Sequence, residues 1–100
     1  MEKNQVSTNS NTAIRFKEPP LYNVIMHNDD YTTMDFVVML LKRVFRKSEE
    51  DAVATMLKIH NEGSAIVGTY SYDIAKSKVA LAERYIYENE FPLQLTIEEA

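Results

Sequence analysis

Apolar and polar side chains alternate along the segment LYNVIMHN, which begins at Leu21. One face of this segment carries Tyr22, Val24 and Met26. The other face mixes polar and apolar side chains, namely Leu21, Asn23, Ile25 and His27. An alternation of period two is typical of a β-strand with one buried face, so we expect the first set to point into the core. The segments SAIVGTYS and PLQLTI predict two further strands.

A different periodicity follows the first strand. Apolar residues recur there at helical spacing, and they comprise Phe36, Val37, Leu40, Leu41, Val44 and Phe45. Thr32 is the predicted N-cap, with Asp35 at the third helical position as in a capping box. The pattern therefore predicts an amphipathic helix that runs to about Lys47.

Two more helices are bounded by residues that favour helix ends. Ser48 precedes three acidic residues, which is typical of a helix N-terminus, and Gly63 suits the left-handed conformation that ends many helices. Ser71 is the predicted cap of the third helix, which extends roughly from Tyr72 to Asn89. The chain thus contains three predicted helices and three predicted strands.

The element order βααβαβ predicts an α+β fold, with a small three-stranded antiparallel sheet and three helices packed on one face. Residues 1–18 are rich in Asn, Ser, Thr and Gln, and we predict that they form a flexible N-terminal extension. Pro19 and Pro20 close this segment. Residues 19–100 are then a single core domain.

Composition narrows the possible functions. The chain has no cysteine, which excludes disulfides, thiolate zinc sites and cysteine nucleophiles. A net charge of −4 opposes general binding to nucleic acid. No apolar run resembles a signal peptide, and none is long enough to span a membrane.

The three residues Asn28, Asp29 and Asp30 follow the first predicted strand. Asn and Asp are common in turns because their side chains bond the local backbone, and composition alone favours that interpretation. The alternative is that Asn28, Asp29 and His60 converge around one small cationic or amide group. Spacing alone does not decide between the two.

Three longer motifs resemble the ClpS family of adaptor proteins, which serve ClpA-type unfoldases in bacteria. The motifs are YNVIMHNDDYTTMDFVV, MLKIHNEGSAIVGTYSYDIAKSK and FPLQLTIE. They occur in order, and the resemblance extends from Pro19 to Glu99. Thr33 and Lys76 depart from the family pattern, which usually has proline and glutamate at these positions.

The resemblance implies a non-enzymatic adaptor that binds substrate proteins whose first residue is Leu, Phe, Tyr or Trp. Asn28, Asp29 and His60 would hold the free α-amino group and the adjacent peptide unit, and Asp30 is assigned a structural role. The side-chain pocket would be lined by Thr32, Met34, Val37, Met56, Ile59 and Leu93. No catalytic residue, metal or cofactor is implied.

The resemblance also implies a second surface, on which Asp73 and Lys78 would dock the N-terminal domain of the unfoldase. Residues 1–18 would be the segment that the unfoldase engages during hand-over. We expect a cytoplasmic bacterial protein that acts as a monomer. Nucleic acid and membranes are not expected partners.

Two other functions remain open at this point. The family fold is similar to the C-terminal domain of the ribosomal stalk protein, so a ribosome-associated interaction module is one alternative. A small metal-dependent hydrolase that uses Asp29, Asp30 and His60 is the other.

Overall fold

Six secondary-structure elements follow one another in the order that the sequence predicts. A computed structural model describes residues 19–100, and the predicted flexible extension, residues 1–18, lies outside the described residues. The elements are β1 (Tyr22–His27), α1 (Met34–Arg43), α2 (Glu49–Glu62), β2 (Ser64–Tyr70), α3 (Tyr72–Glu88) and β3 (Gln94–Glu99). The predicted βααβαβ order is confirmed.

The strands form one antiparallel sheet in the order β2-β1-β3, so β1 is the central strand. Met26 pairs with Ala65 of β2 on one side and with Leu95 of β3 on the other. The register with β2 shifts between Val24 and Ile25, which leaves Val67 as an extra, bulged residue.

One face of the sheet is covered by the helices and the other is open. Val24 and Met26, which were predicted to point inward, are fully buried in a core shared with helix residues such as Leu40 and Ala82. The opposite face carries polar cross-strand pairs, including a 2.8 Å hydrogen bond between His27 Nε2 and Thr96 Oγ1. The prediction of helices on one face is therefore confirmed.

The start of α1 differs from the prediction. Its N-cap is Thr33, whose Oγ1 accepts a 3.2 Å hydrogen bond from the Phe36 amide, and the predicted cap at Thr32 was wrong. Thr32 instead belongs to the preceding loop, where its amide and its hydroxyl both donate to Asp29. Asp35 therefore occupies the second helical position, where its charge still complements the helix dipole.

The end of α1 also differs, since the helix stops at Arg43 and not near Lys47. Arg46 has a φ of 59°, in the left-handed region, and this conformation cannot continue a right-handed helix. The sequence has no glycine there to announce the break.

The other helix ends follow the prediction more closely. Ser48 Oγ accepts a 3.1 Å hydrogen bond from the Asp51 amide at the start of α2, and Gly63 ends this helix with a φ of 94°. Ser71 does occupy the N-cap of α3, but its side chain makes no capping hydrogen bond. Glu90, just beyond α3, has a φ of 58°.

Candidate functional site

A cavity of about 280 Å³ opens between the β1–α1 loop and the facing sides of α1 and α2. One part of its lining is polar and the other is apolar. The polar part consists of Asn28, Asp29, Asp30, Thr32 and His60, and the apolar part of Met34, Val37, Met56 and Ile59. The loop after β1 thus meets the last turn of a helix that begins more than twenty residues later.

A backbone hydrogen bond beside the β1–β2 ladder joins these two segments. The Asn28 amide donates a 2.8 Å hydrogen bond to the carbonyl oxygen of Gly63, which is the residue that ends α2. His60 lies in the last turn of the same helix. The contact therefore places the Asn28 side chain and the His60 imidazole on the same cavity.

Asp29 organises the loop that forms the polar part. Its Oδ1 accepts hydrogen bonds from the amides of Tyr31 (2.8 Å) and Thr32 (2.7 Å), and its Oδ2 accepts one from the Thr32 hydroxyl (2.7 Å). A carboxylate has about four lone-pair sites, so one site on Oδ2 remains for a ligand. The turn and the site are consequently built from the same carboxylate.

The electrostatic environment of Asp29 favours its charged form. Burial alone would raise its pKa, but the hydrogen bonds from the Thr32 hydroxyl, the Thr32 amide and the Tyr31 amide outweigh burial. The pKa of Asp29 therefore lies below its ordinary value. The site carries a negative charge at neutral pH, as a cationic ligand requires.

Asp30 also lines the cavity, although sequence reasoning assigned it a structural role. Within residues 19–100 its carboxylate makes no hydrogen bond, and the residue is exposed. Asp30 is therefore a second candidate acceptor for a bound molecule, and its carboxylate has more free lone pairs than that of Asp29. The sequence does show two adjacent aspartates. Only the loop conformation shows which of the two carboxylates is already hydrogen-bonded within the loop.

The apolar part of the cavity has a buried floor and an exposed mouth. Val37 and Ile59 are 6% and 2% exposed, and they belong to the core as well as to the cavity. Met34, the first residue of α1, is 46% exposed. A side chain that enters the cavity would therefore pass the flexible thioether at the entrance and then rest on the buried core residues of the floor.

Leu93 is the one predicted pocket residue that does not line the cavity. It is buried in the core, just before β3, and is 6% exposed. All the other predicted amine-binding and pocket residues line this one cavity.

The two predicted docking residues lie outside this cavity, on α3. Asp73 is exposed in the first turn of the helix. Lys78 is half-buried, and its Nζ donates a 2.8 Å hydrogen bond to the carbonyl oxygen of Val44 while lying 5.6 Å from the centroid of the Tyr70 ring. Lys78 therefore caps the C-terminal end of α1, a role that sequence reasoning missed.

Across residues 19–100 no group of three or more His, Asp or Glu side chains is arranged to hold a metal ion. No helix in the same range combines the length and apolar composition needed to cross a membrane.

A small cavity that is polar on one side and apolar on the other is typical of a ligand-binding module, and this α+β domain has such a cavity. Comparison with known proteins specifies the class further. The sequence model of the family described as "ATP-dependent Clp protease adaptor protein ClpS" matches residues 17–96. The chain belongs to the ClpS family of Clp protease adaptor proteins.

Curated relatives support this membership over most of their length. The chain is 53% identical to the ATP-dependent Clp protease adapter protein ClpS of Acetivibrio thermocellus, covering 87% of this chain and 88% of the relative. It is 48% identical to the ClpS adapter of Myxococcus xanthus, covering 93% of this chain and 87% of the relative. These relatives are named as adapters and not as enzymes.

A solved structure shows the same fold. The structure of Agrobacterium tumefaciens ClpS2 bound to L-phenylalaninamide matches with a TM-score of 0.80 and 42% sequence identity. The match covers 83% of this chain and 100% of that chain.

Proposed function

We propose that this adaptor binds substrate proteins whose first residue is Leu, Phe, Tyr or Trp, and delivers them to a ClpA-type unfoldase of the Clp protease. The observation that carries the proposal is the cavity itself. It joins hydrogen-bond acceptors and an apolar floor within about 280 Å³, which suits one amino-acid residue with its free amine.

The polar part provides what a free α-amino group needs. This group has a pKa of about 8, so at neutral pH it is mostly a cation with hydrogens to donate. Asn28 contributes an amide oxygen, His60 an imidazole nitrogen and Asp29 its remaining lone pair. Asp30 adds a second carboxylate that has no other partner within residues 19–100. Acetylation would remove the charge and leave one N–H donor in place of three.

The apolar part provides the second half of the recognition. Burying a Leu or Phe side chain stabilises a complex by roughly 1.5–3 kcal/mol, which is too little for tight binding alone. Charge-assisted hydrogen bonds contribute roughly 1.5–3 kcal/mol each. Binding therefore requires both a free amine and a bulky apolar side chain, and Met34 at the entrance would disfavour β-branched Ile and Val.

The ligand of the similar ClpS2 structure supports this assignment. L-phenylalaninamide combines a free α-amino group, an aromatic side chain and an amide in place of the next peptide bond. These three groups correspond to the acceptors and the apolar floor of the cavity described above.

Delivery would use other parts of the chain. We assign contact with the N-terminal domain of the unfoldase to the surface around Asp73 and Lys78, and engagement by the unfoldase to residues 1–18. The adaptor would act as a monomer in the bacterial cytoplasm. Lys78 would serve this surface partly by fixing α3 against α1, since its ammonium group is bonded to Val44.

Reconstituted degradation tests the delivery step. Purified ClpA-type unfoldase and its peptidase would be given a folded fluorescent protein that begins with Phe, with and without this adaptor. We expect faster loss of fluorescence with the adaptor, and no such effect when the substrate begins with Gly. An equal rate with and without the adaptor would contradict delivery.

A further inference from the structure

The sulfur chemistry of this chain is confined to methionine. The sequence contains five Met and no Cys, so a thioether is its only oxidisable sulfur group. Among the described residues the methionines differ widely in exposure. Met26 is fully buried, Met39 and Met56 are half-buried, and Met34 is 46% exposed. Among these four methionines, Met34 is therefore the most accessible to an oxidant in solution.

Met34 is also placed where its chemistry matters. It lines the apolar part of the cavity and is the first residue of α1. Met39, five residues further along the same helix, lines a separate groove with Asp35, Lys42 and Arg43. Of the four methionines within residues 19–100, the most exposed is thus part of the candidate binding site, whereas Met39 on the same helix is not.

We propose that Met34 is a site of reversible oxidative modification, and that its sulfoxide form weakens substrate binding. The inference rests on the proposed function of the cavity. In the reaction with hydrogen peroxide, the sulfur lone pair attacks one peroxide oxygen, an S–O bond forms and the O–O bond breaks. The sulfur loses two electrons, the peroxide gains them, and one molecule of water leaves. A methionine sulfoxide reductase reverses the step with electrons from a thiol.

The product has different physical properties from the thioether. A sulfoxide is polar and chiral, whereas the thioether is apolar and flexible. When a Leu or Phe side chain enters the cavity, the sulfoxide oxygen must lose water against an apolar partner without gaining a hydrogen bond. We expect binding to weaken by about tenfold or more, and a tenfold loss corresponds to about 1.4 kcal/mol.

The test combines mass spectrometry with peptide binding. The full-length protein is treated with increasing hydrogen peroxide, and the addition of one oxygen is measured at each Met after proteolysis. Affinity for a fluorescent peptide beginning with Phe is measured on the same samples. We expect Met34 to be oxidised before Met39 and Met56, with affinity falling in step and returning after reductase treatment. Full oxidation of Met34 with unchanged affinity would overturn the inference.

Variants separate the site from general damage. In Met34→Leu the affinity before and after peroxide should be the same, whatever its starting value. In Met39→Leu the starting affinity should match the unmodified protein, and the peroxide effect should persist. Loss of affinity in peroxide-treated Met34→Leu would place the effect elsewhere and overturn the proposal.

Ligand protection provides an independent readout. A saturating peptide that begins with Phe should slow the oxidation of Met34 and leave that of Met39 unchanged, because Met34 lines the cavity and Met39 lines a separate groove. Equal rates with and without the peptide would contradict the placement of Met34 over the bound side chain. If the untreated protein does not bind the peptide, the proposed function itself fails, which distinguishes the two results.

Discussion

The backbone amide of Asn28 donates a 2.8 Å hydrogen bond to the carbonyl oxygen of Gly63, joining the end of β1 to the end of α2. Gly63 ends that helix in a conformation that L-residues rarely adopt. The relative placement of the Asn28 and His60 side chains therefore depends in part on this glycine, together with the β1–β2 pairing that begins at His27 and Ser64. This dependence explains why a residue without a side chain matters to a binding site.

Replacement of Gly63 by alanine tests that dependence. No atom lies within 4 Å of the position that a Cβ would occupy, so the cost comes from the backbone conformation at φ 94° alone. We expect Gly63→Ala to lower the free energy of unfolding by about 1–2 kcal/mol and to weaken peptide binding. Urea denaturation and fluorescence anisotropy measure the two effects. Ser77→Ala, on the exposed side of α3, is the control, and equal stability of the two variants would contradict the account.

At Glu90 the opposite substitution, to glycine, is expected to stabilise the protein. This residue follows α3 with a φ of 58°, and the Phe91 amide donates to the carbonyl of Ile86 across it, so Glu90 occupies the position where glycine is preferred. Glu90→Gly should raise the free energy of unfolding by up to about 1 kcal/mol. Glu83→Gly, within α3, should lower it by about 1 kcal/mol. The expectation fails if both glycines destabilise the protein equally.

The hydrogen bonds of Asp29 predict a dependence of stability on pH. The pKa of Asp29 is lower in the folded protein than in the unfolded chain, so its contribution is present above the unfolded value, about 3.9. This contribution is lost as pH falls through the folded pKa. Because the carboxylate is largely solvated, we expect it to be worth under about 1 kcal/mol.

Asp29→Asn isolates this effect. The amide oxygen can still accept from the Tyr31 and Thr32 amides, so the loop is retained without the charge. Urea denaturation between neutral pH and acid should show the unmodified protein as the more stable at neutral pH. The difference should shrink once the pH falls below about 4. A difference that stays constant over this range would show that the charge does not contribute.

His60 has a matched control in the only other histidine of the chain. Loss of a hydrogen bond to a charged group costs about 1.5–3 kcal/mol, which corresponds to a loss in affinity of roughly tenfold to a hundredfold. We expect that loss for His60→Ala with a peptide beginning with Leu. His27→Ala should bind normally, because His27 lies on the open face of the sheet and bonds Thr96. Similar affinities of the two variants would remove His60 from the site.

Lys78 and Asp73 separate a structural role from a docking role. Lys78→Ala removes the hydrogen bond to Val44 and the cation over the Tyr70 ring, so we expect a loss in stability of about 1 kcal/mol. Asp73→Ala should lower stability by less than about 1 kcal/mol, because Asp73 is exposed and loses only the interaction of its charge with the start of α3. Both variants should bind peptide normally and deliver substrate poorly. Normal delivery by Asp73→Ala would remove that residue from the docking surface.

Periodicity predicted the order of the elements and the buried face of β1, because both depend on where apolar residues recur. The ends of α1 were predicted wrongly for a local reason. Thr32 and Thr33 are adjacent and either could cap the helix, and the choice depends on the bonds that Asp29 makes with Thr32. The helix ends at Arg43, and the left-handed residue that follows it, Arg46, is not the glycine that would have indicated the end.

For the site, too, the sequence predicted which residues come together but not how each one is bonded. The motifs of the family assembled nearly the whole lining of the cavity, with Leu93 in the core and not at its surface. The sequence analysis treated the turn and the site as alternatives, whereas Asp29 makes the hydrogen bonds of the turn and also lines the cavity. Asp30, to which the resemblance assigned a structural role, lines the cavity as well. Adjacent carboxylates are equivalent in a sequence, and they become different only when the loop conformation assigns each its partners.

We propose that peptide binding by this cavity needs a free α-amino group and a bulky apolar side chain together. Fluorescence anisotropy with three matched peptides tests it most directly: one begins with free Phe, one is the same peptide acetylated, and one begins with free Gly. We expect the first peptide to bind and the other two to bind at least about tenfold more weakly, since each of them lacks one half of the contacts. Equal binding of all three, or binding of none, would contradict the assignment of the cavity.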